Sequence, residues 1–152
     1  SFEEVQEAMK AVDFSKYKEV VFCGFGEPTE RLELLCKTAA YLKEQGVRCI
    51  RLNTNGLSDL LHERKTAQDL HGLVDIVSIS LNAGTEEEYR KVTRPKFPNA
   101  FAALQKFAAD CKNSVPTVMY SVVDVLPKAE LDAAQALADR QGIPLRVRKF
   151  EH

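Results

Sequence analysis

Two hydrophobic periods alternate along this chain. Short β-branched runs, in which successive side chains should point to opposite faces, are separated by longer stretches whose apolar residues recur every three or four positions. An opening helix is expected from about Phe2 to Val12 and a strand from Glu19 to Cys23. The next helix shows Leu32, Leu35, Cys36, Ala39 and Leu42 on one face, and Gly46 ends it as a residue free to take positive φ. A second strand, Arg48 to Asn53, runs into the turn Thr54-Asn55-Gly56, and a looser polar helical stretch follows. The third strand spans Asp75 to Leu81. After it, Thr85-Glu86-Glu87-Glu88 reads as a capping box that starts a helix near Tyr89, which two prolines interrupt between Thr93 and Pro98. Helical period resumes through Ala100, Phe101, Leu104, Phe107, Ala108 and Cys111, before a fourth strand at Thr117 to Val123. Pro127 suits the first turn of a helix that turns Leu131, Ala134, Leu137 and Ala138 inward, ends at Gly142 and leads to a last strand, Leu145 to Phe150.

Alternation this regular predicts an α/β fold with a parallel sheet and helical crossovers. Periodicity does not choose between part of a barrel and an open doubly wound sheet. The third strand speaks to that choice, because Val77, Ile79 and Leu81 share one face while Ser78, Ser80 and Asn82 share the other. A parallel strand covered by helices on both faces should be apolar on both, so the polar face suggests a lumen holding water or a polar ligand. An edge strand with one solvated face is the alternative. In the last strand Leu145 and Val147 alternate with Arg146 and Arg148, and a buried arginine needs an anionic partner.

Composition narrows the function classes. The 152 residues suit one domain, residues 1–152, and no linker or repeat divides them. With 21 basic against 22 acidic residues the formal charge is -1, which indicates no nucleic-acid surface. No apolar run is long enough to span a bilayer, and no signal sequence opens the chain, so a cytoplasmic protein without a membrane partner is expected. The four cysteines, Cys23, Cys36, Cys49 and Cys111, form no CxxC or CxxxCxxC pattern, and buried, reduced structural thiols are the expectation.

Chemistry in parallel α/β proteins gathers at the C-terminal ends of strands. Here the first strand ends in Gly24-Phe25-Gly26-Glu27-Pro28-Thr29, the second in Asn53-Thr54-Asn55-Gly56 and the third in Ser80-Leu81-Asn82-Ala83. The glycines let a backbone approach a ligand closely, and Glu27 can accept from a cation such as an α-ammonium group. Asn and Ser side chains suit ribose hydroxyls or a carboxylate. Taken singly, each motif has a bland reading as a turn or a helix cap; their order on three consecutive strand ends is what points to a site.

The string VVFCGFGEPTERLELL resembles the second strand and turn of the radical S-adenosylmethionine superfamily, IRLNTNGL its third strand, and VDIVSISLNAGTEEEYRKVTRP its fourth. YSVVDV and GIPLRVRKFE are similar to its fifth and sixth strands, with the nearest likeness to the group encoded alongside TatD-type nucleases. The resemblance implies a partial (β/α)6 TIM-like barrel, here with the first strand and cluster loop absent. It implies that Gly24, Gly26 and Glu27 meet the amino group of S-adenosylmethionine and that Thr54 and Asn55 line its methionine side. Ser80 and Asn82 would reach the carboxylate or ribose, Ser121 the ribose or adenine, and Arg148 the lumen. Phe25 stands where a third small residue is frequent.

The superfamily also holds a [4Fe-4S] cluster on a CxxxCxxC segment, which this sequence lacks; its ligands are expected upstream of this chain. The complete enzyme would take an electron from a donor such as flavodoxin or ferredoxin and cleave S-adenosylmethionine to a 5′-deoxyadenosyl radical. The chain as given should hold no iron and be inactive by itself. Its substrate is not legible. The strand at Glu19 to Cys23 would keep an unpaired edge, through which self-association is expected unless the N-terminal helix covers it. The alternative from another class is a non-catalytic domain that binds a nucleotide or nucleoside. A barrel enzyme acting on phosphorylated substrates would want a Gly-rich cradle that Leu145 to Glu151 does not offer.

Overall fold

A computed structural model describes residues 1–23 and 26–150. Five parallel strands form one sheet: β1 (Glu19–Phe22), β2 (Cys49–Thr54), β3 (Ile76–Ser80), β4 (Thr117–Val123) and β5 (Leu145–Arg148). Their spatial order is their order in the chain. That order decides between the two arrangements left open by periodicity. A doubly wound sheet reverses direction at a switch point, which puts helices on both faces. Crossovers that are right-handed and always step the same way put every helix on one face, as in a barrel, and leave the other concave and uncovered. The structure is an α/β fold with the sheet of a partial TIM-like barrel.

The helices are α1 (Phe2–Met9), α2 (Leu32–Glu44), α3 (Ser58–His62), α4 (Glu86–Thr93), α5 (Ala100–Cys111) and α6 (Lys128–Gln141). Ile50, Leu52, Val77, Ile79 and Tyr120 face them from the sheet and are fully buried, as are Ala39, Leu104 and Phe107 on the helices. Burial of this apolar surface is the main stabilising contribution. Gly46 (φ +90°) closes α2 as expected: its N–H donates to Lys43 O at 3.1 Å and the next N–H, from Val47, to Leu42 O at 3.0 Å, a Schellman motif. At the N-terminal end of the sheet, Asp75 Oδ2 accepts from Ile50 N at 2.8 Å and from Lys43 Nζ at 2.6 Å.

Several expectations are corrected in detail. The opening helix stops at Met9, before Val12. Pro127 is the N-cap of α6 and lies just outside its first turn. The Thr85 hydroxyl caps α4 by accepting from Glu88 N, but the return bond of the box comes from α6: Glu130 Oε1 accepts from Thr85 N at 3.1 Å and Gly84 N at 3.0 Å. Such a tertiary partner is invisible in local spacing. β3 lies between β2 and β4, so its serine face is not the solvated face of an edge strand. Among the thiols only Cys111 is fully buried; Cys36 and Cys49 are half-buried and Cys23 is exposed. α1 lies against α2, with the Phe2 and Tyr41 rings edge-on at 6.5 Å, and among the described residues β1 is an edge strand.

Candidate functional site

Alternation along the strands divides the sheet into two chemically distinct surfaces. On β2, Ile50, Leu52 and Thr54 turn to the helices, and Arg51 and Asn53 turn to the concave side. Register carries that division across the sheet: Asn53 is level with Ser78, and Ser80 with Ser121 and then Arg146. The concave face therefore carries a polar side chain on each strand from β2 to β5, and these residues line a cavity of about 290 Å³.

At the C-terminal rim, Glu27 is the organising residue. It is the N-cap of a 3₁₀ turn, Pro28–Arg31, that enters α2. Its Oε2 accepts from Thr29 N at 3.1 Å, from Thr29 Oγ1 at 2.5 Å and from Thr54 Oγ1 at 2.5 Å; its Oε1 accepts from Asn55 N at 2.8 Å. One carboxylate thus ties the turn after β1 to the end of β2. Thr54 Oγ1 in turn accepts from Gly56 N at 3.1 Å, and His62 Nε2 meets Thr29 O at 2.6 Å. Gly26 takes φ +85°, and open space lies where a Cβ would stand, so its backbone can be approached from outside.

The predicted site residues fall into three groups. Gly26 and Glu27 border a cavity of about 340 Å³ between the end of β1, α1 and α2. Ser80, Ser121 and Arg148 line the concave cavity, together with Ser78, Arg51 and Arg146. Asn55 and Asn82 stand at the rim: Asn55 Oδ1 accepts from Leu57 N at 3.0 Å, and Asn82 takes φ +68°, a left-handed conformation that asparagine tolerates. Gly24 lies outside the described residues. The end of β2 is corrected. Thr54 belongs to the strand and not to the turn after it, its side chain is buried on the helix side, and its hydroxyl reaches Glu27. The expectation of buried arginines on the last strand is also corrected, since Arg146 and Arg148 are exposed.

Arg51 was missed, and it is the half-buried arginine of the concave face. Its Nε donates to Asn53 Oδ1 at 3.0 Å and its Nη2 approaches Met119 Sδ at 3.8 Å. The strand alternation that exposed the serine face of β3 applies equally to Ile50 to Asn53 and was the signal for it.

The ligand set for an iron–sulfur cluster is a separate matter. Among the described residues no three His, Cys, Asp or Glu side chains come together as metal ligands. Burial pushes the Cys36, Cys49 and Cys111 thiols up, with Asp69 adding to the effect at Cys36 and Glu19 and Asp75 at Cys49. At each of them burial disfavours the thiolate that a metal requires. These cysteines do not fit a cluster. The rim does fit S-adenosylmethionine: Gly26 leaves its backbone open beside a fixed carboxylate, and the Ser80 and Ser121 hydroxyls have no hydrogen-bond partner among the described residues.

A sequential parallel sheet with helices on one side and polar strand ends defines a barrel-type α/β domain with its ligand groups at the C-terminal rim. The family model for the Radical SAM superfamily matches residues 1–138, and the chain belongs to that superfamily. No curated protein matches it. Among the described residues no helix is long and apolar enough to cross a membrane.

Proposed function

We propose that this chain is the part of a radical S-adenosylmethionine enzyme core that holds the cofactor at the rim, with the substrate on the concave face below. The observation that carries this reading is the Glu27 corner. Its Oε2 is saturated by three donors while Oε1 takes one, which leaves that oxygen a lone pair for an α-ammonium donor beside the open Gly26 backbone. Gly24 and Asn55 would share that end of the cofactor. Ser80, Asn82 and Ser121 supply hydroxyl and amide groups for its carboxylate and ribose, and Arg148 stands at the rim end of β5. Thr54 is a positioning residue that acts through Glu27.

S-Adenosylmethionine, when bound and reductively cleaved, supplies hydrogen-atom abstraction; the protein's own part is orientation and exclusion of water. A [4Fe-4S] cluster would need ligands from outside the described residues, and a one-electron donor such as flavodoxin or ferredoxin is its expected reductant. Four free cysteines support a cytoplasmic setting. Among the described residues β1 is an edge strand, which supports self-association. The strings YSVVDV and GIPLRVRKFE support placement near the group encoded alongside TatD-type nucleases.

Calorimetric titration of the intact protein with S-adenosylmethionine, S-adenosylhomocysteine and adenosine tests the reading. Glu27→Gln should weaken S-adenosylmethionine binding roughly tenfold, the scale of one charge-assisted hydrogen bond, and Lys106→Ala on α5 should leave it unchanged. Adenosine binding as tightly as S-adenosylmethionine, with no response to Glu27→Gln, would favour a plain nucleoside-binding domain. Absence of any binding would refute both.

A further inference from the structure

We propose that the concave face carries an anion site for the substrate, formed by Arg51, Arg146 and Arg148 beside the Ser78 hydroxyl. The substrate accordingly bears a doubly charged group, either a phosphoryl group or a pair of carboxylates. The word substrate rests on the function proposed above; the anion site does not.

All three guanidinium groups line the same cavity of about 290 Å³. Among the described residues none has a carboxylate oxygen within 4 Å, the ion pairs of the fold lying elsewhere. Arg51 is the most telling. It is half-buried, yet its partners are the neutral Asn53 amide and the Met119 thioether, which leave most of its five donors and its whole charge unanswered. A cation drawn out of water without a counter-charge is costly, so its conformation is the one expected where an anion completes the set.

Register places the other two cations around it. Arg146 is level with Ser121 and through it with Ser80, and Arg148 stands one pleat nearer the rim, opposite Val123. Arg51 reaches across β3 to Met119 on β4, the neighbour of the strand that carries Arg146 and Arg148. Between them the Ser78 hydroxyl, which the cofactor does not use, has no hydrogen-bond partner among the described residues. The one acid lining the cavity, Glu19, is on β1, the opposite edge from β5. Forked cationic donors and a hydroxyl converging on a small concavity match the oxygens of phosphate or carboxylate, and a cationic or wholly apolar substrate finds no complement there. The small concavity and the formal chain charge of -1 favour a small anion over a nucleic-acid backbone.

The test titrates the intact protein with inorganic phosphate and with malonate at low ionic strength, each with and without saturating S-adenosylmethionine. At least one probe should bind, and the tighter one tells which anion chemistry the site prefers. Arg51→Gln, Arg146→Gln and Arg148→Gln should each weaken it roughly 10- to 100-fold, while Lys106→Gln leaves it unchanged. Should Arg51→Gln not fold, the two exposed arginines decide. Binding of neither probe, or binding indifferent to all the arginine variants, overturns the proposal. So does displacement of the probe by S-adenosylmethionine, which would assign the arginines to the cofactor's own carboxylate. An anion that binds to a protein unable to bind S-adenosylmethionine would sink the proposed function and leave the anion site standing.

Discussion

The two flanks of the sheet are built on opposite terms. At the C-terminal rim of the β1–β2 flank the polar side chains are committed: Glu27 takes four hydrogen bonds, Thr54 is both donor and acceptor, and Asn55 closes its own turn. On the β4–β5 flank the side chains of Ser121, Arg146 and Arg148 have no hydrogen-bond or ion-pair partner among the described residues. A committed corner holds one geometry without any ligand, which suits a molecule that must be presented the same way in every turnover. An uncommitted flank spends nothing on internal contacts and leaves its charge for whatever occupies the cavity.

Substitutions sharpen the contrast by their cost to folding. The largest effect is expected at Gly56, which takes φ +79° and where a Cβ would come within 2.9 Å of Ile79 Cγ2 and Leu104 Cβ. Gly56→Ala combines left-handed strain with overpacking and should cost about 3 kcal/mol by urea unfolding. A loss below about 1 kcal/mol would show that the turn relaxes easily and that the corner is not rigid. Glu27→Ala comes next, at about 2 kcal/mol, since it strands the Thr54 hydroxyl and three other donors. Thr54→Val made in that background should add little, whereas in the wild-type background it should cost about 1 kcal/mol; additive losses would mean that the two residues are not coupled. Arg148→Gln is the smallest, within about 0.5 kcal/mol. A larger loss there would reveal a structural role and erase the distinction between the flanks.

The legible part of the molecule was whatever obeyed a period. Each strand and each helix face followed from local alternation, and so did the polar lumen, because Ser78 and Ser80 are two residues apart on one strand. Strand order was not legible, since β1-β2-β3-β4-β5 is a fact about crossovers and not about residues. Thr54 was misplaced for a definite reason. Its neighbours Asn55 and Gly56 are strong turn formers, and reading the tripeptide as one turn hid the pleat that puts Thr54 with Ile50 and Leu52. Arg51 was hidden because the faces of its strand, Arg48 to Asn53, were never separated as those of the third strand were. Contacts between distant segments, such as Glu130 on the Gly84 and Thr85 amides, have no local signature at all.

The strand order has a kinetic consequence. Because each strand pairs only with the next along the chain, every pairing closes a loop of modest length: 41 residues between Ile76 and Thr117, 25 between Tyr120 and Leu145. Closure entropy grows so slowly with length that these differ by less than about 0.6 kcal/mol. No pair is therefore a privileged nucleus, and the sheet should zip outward from whichever neighbours meet first, giving a transition state with intermediate φ-values on several strands. A transition state polarised onto a single pair, with values near one there and near zero elsewhere, would show that side-chain packing and not loop length chooses the starting point.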